Sequence, residues 1–183
     1  MDGPFWVDLR APHMAADAGS VTLTTTAKAI LPVANLPVLG SNYFGFIGKA
    51  VRMRIWGQMT AVATPGNITA LLYWGTGADA NGTILGTTAA TALTAGTALS
   101  WELDLLIRCR TLGSGGALIT HGMLNANVSL IASTLQPVMI PASSAAAVTV
   151  DLTANNVMSP QMIASGSAGS AVIVHDYTYE ALN

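Results

Sequence analysis

Residues 100–110 read SWELDLLIRCR, and this stretch decides the fold class. Trp101, Leu103, Leu105, Ile107 and Cys109 alternate with Glu102, Asp104, Leu106, Arg108 and Arg110. A period of two places the first set on one face of a β-strand and the second on the other. Residues 50–60, AVRMRIWGQMT, repeat the pattern: Val51, Met53, Ile55, Gly57 and Met59 share one face, and Arg52, Arg54, Trp56, Gln58 and Thr60 the opposite one. The chain has only seven Lys or Arg and nine Asp or Glu in 183 residues. Arg52, Arg54, Glu102, Asp104, Arg108 and Arg110 therefore concentrate a large part of its charge on two predicted strands.

Working outward, similar short runs recur at 21–25, 28–33, 67–75, 117–130, 147–153, 160–165 and 170–180, which makes about nine strands. Turn-forming residues separate them, as in TPGN at 64–67, GTGADANGT at 75–83, LGSGG at 112–116 and SGSAGS at 165–170. Residues 86–98, GTTAATALTAGTA, read as a loop with a short strand, since their threonines and Gly96 oppose a helix. Strands of this length and number, joined by short and long connections, predict an all-β jelly-roll sandwich over residues 21–183. Residues 1–20 show no alternation and hold Phe5, Trp6, Pro4 and Pro12. They predict an extended N-terminal arm with Phe5 and Trp6 as anchors and Arg10 as a polar contact.

Composition narrows the function classes. Charged residues make up 9% of the chain and hydrophobic ones 51%, with a net charge of −2 and a mean hydropathy of +0.52. Ordinary soluble domains carry about 25% charged residues, so much of this surface is expected to be buried against other chains. Seven basic residues are too few to neutralise a nucleic-acid backbone. No run of 18 or more residues is apolar enough to span a bilayer as a helix. The opening MDGPFWVDLR has an acidic second residue and no basic head before an apolar stretch, unlike a secretory signal.

Residues that carry chemistry elsewhere are scattered here. His13, His121 and His175 have no metal-ligand spacing with one another or with Cys109, the one cysteine, which reads as a small hydrophobe in a strand. GSGG at 113–116 has no lysine and opens no helix, so it reads as a hairpin and not a phosphate cradle. Sequons at Asn67, Asn81 and Asn127 are short matches in a chain rich in Thr and Ser. Trp101 is expected in the core. Trp56 and Trp74 are candidates for filling an interface or stacking on a sugar. Glu102 and Asp104 share a face as an acid/base pair would, but Arg108 and Arg110 continue that face, and mutual charge pairing accounts for all four. No catalysis, cofactor or metal is expected.

The run NYFGFIGKAVRMRIWGQMT, the PG turn at 65–66 and LSWELDLLIRCRTLGSGGALITHGML resemble a group of virion proteins of tailed bacteriophages. Tyr43, Phe44, Ile47, Gly48, Lys49, Arg52, Arg54, Pro65, Gly66, Trp101, Leu103, Asp104, Arg108 or Arg110, Gly113 and Gly115 carry the likeness, which covers about residues 42–125. It implies a minor capsid or decoration protein: a homotrimer of jelly rolls made in the host cytoplasm, placed on the outer capsid surface, bound to the major capsid protein and bracing the shell. A tail-associated receptor- or carbohydrate-binding jelly roll is the alternative. In either setting the six clustered charges are expected to act as alignment keys, the acidic end at Glu102 and Asp104 meeting Arg52 and Arg54 within an antiparallel sheet or across a subunit boundary.

Overall fold

The computed structural model describes residues 16–131, 136–166 and 169–182. Its centre is the pair of charged segments, which form antiparallel neighbours: β3 (Ala50–Ala61) and β7 (Gly96–Thr111), with Arg54 opposite Asp104 and Trp56 opposite Glu102. Both follow the expected alternation. Val51, Met53, Ile55, Trp101, Leu103, Leu105, Ile107 and Cys109 are buried, and the charged set faces outward. Burial also pushes the Cys109 thiol above its ordinary pKa.

β12 (Ala171–Leu182) flanks β3 on its other side, and β1 (Val21–Thr22) flanks β12. Beyond β7 come β8 (Gly116–Ala126) and β10 (Val148–Val150), with β9 (Val138–Ile140) also on β8. This is the front sheet. The back sheet runs β2 (Lys28–Ala29), β11 (Val157–Ala164), β4 (Asn67–Gly75) and β5 (Thr83–Thr87), with β6 (Thr91–Ala92) on β4. With β6 and β8 to β10 set aside, the orders β1-β12-β3-β7 and β2-β11-β4-β5 interleave as two nested Greek keys do, which is the jelly-roll arrangement. The β8 to β10 segment widens the front sheet.

Boundaries depart from the expected ones for local reasons. The run at 21–25 stops at Thr22, because the Thr24 hydroxyl and the Thr26 backbone close a turn. The run at 28–33 stops at Ala29 and gives way to a short 3-10 turn, Val33–Asn35. β8 ends at Ala126, since Asn127 starts a turn by accepting the Ser129 and Leu130 N–H groups. β11 begins at Val157, ahead of Pro160. β5 and β9 were not expected.

The inner faces of the sheets close on one apolar core. Tyr177 and Tyr179 stack edge to face at 5.9 Å, and the Tyr179 hydroxyl donates to the Met158 carbonyl at 2.6 Å, tying the front sheet to the back. The Tyr177 hydroxyl donates to Asn35 O. On the back sheet's outer side, Leu71, Tyr73 and Ala27 form a second buried cluster. The loop at 76–82 is fastened beside it: Gln161, fully buried, accepts the Ala80 N–H and donates to Ala78 O, and Asp79 bonds both Lys28 Nζ and the Ala29 N–H at 2.8 Å. The Lys28 contact, followed by the Ala29 bond, holds the Asp79 carboxyl below its ordinary pKa.

Gly57 lies where β12 bulges between Val174 and Asp176, and a Cβ there would sit 2.0 Å from the Ile173 carbonyl oxygen. Gly57→Ala should therefore lower unfolding free energy by more than about 2 kcal/mol in urea titration. Gly115→Ala, with nothing within 4 Å of its Cβ, should change it by less than about 0.5 kcal/mol. Burial raises the pKa of Tyr43 to about 12 and also raises those of Tyr177 and Tyr179. A raised folded pKa contributes stability that is complete below the unfolded value near 10 and is lost as pH rises through the folded one. Stability should fall between about pH 10 and 12, with tyrosinate absorbance from these rings arriving together with unfolding. Tyrosinate signal from all of them well before unfolding would contradict it.

Candidate interaction surface

The outer face of the front sheet carries the charged set, and cross-strand register dictates who meets whom. Same-face neighbours along one strand are about 6.7 Å apart per two residues, whereas an adjacent strand is about 4.8 Å away. Glu102 and Asp104 accordingly pair with β3. Arg52 Nε and Nη2 bond Asp104 Oδ1 and Oδ2 at 3.0 and 2.6 Å, a two-pronged contact. Arg54 Nη2 donates to Glu102 Oε1 at 3.1 Å, and its Nε lies 3.6 Å from Asp104 Oδ2. The Asp104 hydrogen bonds, above all, raise the Arg52 pKa; desolvation opposes them, and Glu180 and Glu102 add to them.

Arg108 and Arg110 do not join this network. Both are exposed, Arg108 stands opposite Ala50 and Ile119, and neither has an ion pair among the described residues. Asp104 and Arg108 are about 13 Å apart along the strand, so pairing of the acids with the arginines of their own strand is not found, whereas the expected meeting of the acids with Arg52 and Arg54 is. On the β12 side, Glu180 lies opposite Arg52 and Asp176 opposite Trp56.

Beside the Arg52–Asp104 pair lies a hollow of about 330 Å³ with Leu106, Met123, Met139 and Leu182 in its wall. Met139 is 52% exposed. Sequence reasoning missed it: β9 is three residues long between Pro137 and Pro141, too short for alternation to register. Trp56 remains 38% exposed, with Glu102 opposite and Asn125 one strand further. Trp74, in contrast, is buried with its indole N–H donating to Asp151 O at 3.2 Å, so it is no ligand platform. Trp101 is in the core as expected.

A second feature lies at the end of the sandwich where β3 begins and β7 ends. Lys49 Nζ donates to Tyr43 O at 2.8 Å and sits 4.0 Å from the Tyr43 ring centroid. Burial lowers the Lys49 pKa. Phe44 packs between Tyr43 and Trp74. Gly48, at φ +97°, donates its N–H to Cys109 O, a conformation that favours glycine. This anchored loop leaves Phe46 and Ile47 48% and 64% exposed, and Leu112 is exposed just past β7.

Phe5, Trp6, Arg10 and His13 lie outside the described residues. Where the described chain starts, Asp17 meets His175 Nδ1 at 2.8 Å and the Ala18 N–H donates to Val174 O, so residues 17 and 18 follow β12. His121 and His175 stand apart, and among the described residues no three His, Cys, Asp or Glu gather as a metal site would require. No helix among them is long and apolar enough to cross a membrane. Compared with protein-family models, curated proteins and solved structures, the chain matches none.

Arg52 is 40% and Asp104 21% exposed at the side chain, so solvent screens their attraction. Asp104→Asn should cost about 1 kcal/mol, and Asp104→Arg more, since it would group three arginines. Arg108→Gln should stay within about 0.5 kcal/mol. Urea titration of the three variants checks this, and an Arg108 effect as large as the Asp104 one would contradict the geometry.

Proposed function

We propose that this chain is a structural virion protein that decorates and stabilises the outer surface of a bacteriophage capsid as a homotrimer, without catalysis and without nucleic-acid or membrane partners. The observation that carries the reading is the loop of residues 43–49. Its Tyr43, Phe44, Gly48 and Lys49 are committed to holding the backbone, while Phe46 and Ile47 project apolar surface. A rigid loop that presents aromatic and aliphatic side chains suits permanent contact with a protein shell. Tyr43, Phe44, Ile47, Gly48 and Lys49 of this loop are also among the residues that carry the resemblance to virion proteins. In this reading the major capsid protein receives that end of the sandwich, together with the arm that holds Phe5, Trp6 and Arg10.

One observation favours a second reading. Trp56 stays half-exposed with Glu102 and Asn125 in line across two strands, which suits a tail-associated jelly roll that stacks a sugar ring on the indole.

Locating the chain in intact phage particles by electron microscopy separates the two. Density on the head at three-fold or pseudo-three-fold positions is the expected result, and density confined to the tail would overturn it. Purified chain should also bind shells that lack it, and Ile47→Asp should weaken that binding at least about tenfold with the melting temperature unchanged.

A further inference from the structure

The six clustered charges divide into two groups once their partners are known. Arg52, Arg54, Glu102 and Asp104 neutralise one another within the chain. What is left on the front sheet's outer face has opposite sign in two places. Asp176 and Glu180 lie along β12, and Arg108 and Arg110 stand at the end of β7 near its turn into β8. No ion pair joins the two groups within the chain among the described residues. Arg52 and Leu106 follow Glu180 across β3 and β7, Leu182 stands in line with Arg108, and the hollow between Leu182 and Leu106 continues past β7 to Met123 and Met139.

We propose that this face is a contact between copies of the chain, with Arg108 and Arg110 of one copy meeting Asp176 and Glu180 of the next. From the reading above it takes only that copies associate. A second copy is the occupant because the two charge groups are complementary: the acidic side of one copy matches the basic corner of the next, head to tail, so one chain supplies both halves of the contact. The same face exposes Trp56 beside Asp176 and Met139 beyond β8, residue types enriched at interfaces. Size also fits. Four strands about 4.8 Å apart and roughly ten residues long span about 600 Å² in projection, near the ~800 Å² that one partner gives a standard interface. The internal arginine–carboxylate pairs keep the centre neutral, so the outlying charges set the orientation.

Sedimentation of the full chain at micromolar concentration provides the test. Arg108→Glu with Arg110→Glu should raise the dissociation constant of the assembly at least about tenfold. Adding Asp176→Lys and Glu180→Lys to that variant should restore it to within about threefold. Near-ultraviolet circular dichroism of the core tyrosines reports whether each variant is folded. In the unmodified protein, raising salt from about 0.05 to 0.5 M should weaken association, which keeps the test open if a variant misfolds. An assembly that neither the reversals nor salt disturbs overturns this contact and leaves the proposed function standing. An unmodified chain that is monomeric overturns both. A dimer broken and rescued by these changes supports the contact and overturns the trimer.

Discussion

The register between β3 and β7 is the constraint on which the rest depends. A slip of one residue would turn one strand over, sending either Arg52 and Arg54 or Glu102 and Asp104 toward the core and that strand's own apolar set toward water. Desolvating charges costs several kcal/mol per ion, so the misaligned pairing is excluded more strongly than the correct one is favoured. The ion pairs themselves contribute little, because they are partly exposed. Their effect is on uniqueness. Once β3 and β7 are aligned, β12 and β8 add to a fixed template, and the Tyr179–Met158 bond sets the second sheet against the first.

Much of this was legible in the sequence because the two central strands are long. Eleven alternating positions leave no other period, and the burial of Trp101 and Cys109 followed from it. Legibility failed where context outweighs pattern. β9 is flanked by prolines, and β11, expected from Pro160, begins three residues earlier beside β4. The roles of the charges were half legible. Alternation on both strands revealed that Glu102 and Asp104 could meet Arg52 and Arg54, but that Arg108 and Arg110 are left without a partner among the described residues depends on distances along the strand and on the residues opposite them. Trp74 is the same lesson for aromatics: its partner, the Asp151 carbonyl, is 77 residues away.

Scarcity of charge shapes the surface as much as its placement does. Lys28 is committed to Asp79 and Lys49 to Tyr43, so both lysines serve to fasten loops. The residues exposed without such duties include Val38, Phe46, Ile47, Val128 and Met139. A molecule of this kind keeps its shape by internal polar bonds and meets its surroundings largely through neutral and apolar groups.

The loop of residues 76–82 gives the two broad sides of the sandwich different fates. A sandwich bare on both sides is a brick that can be stacked without limit, each copy offering to the next the side it has not yet used. Here Gln161, Asp79 and Lys28 fasten the chain's own loop beside the apolar cluster of the back sheet. With that loop tied down, the cluster is closed by the chain's own residues, and the two broad sides differ: one is finished within the chain, while the other still presents Trp56 and Met139.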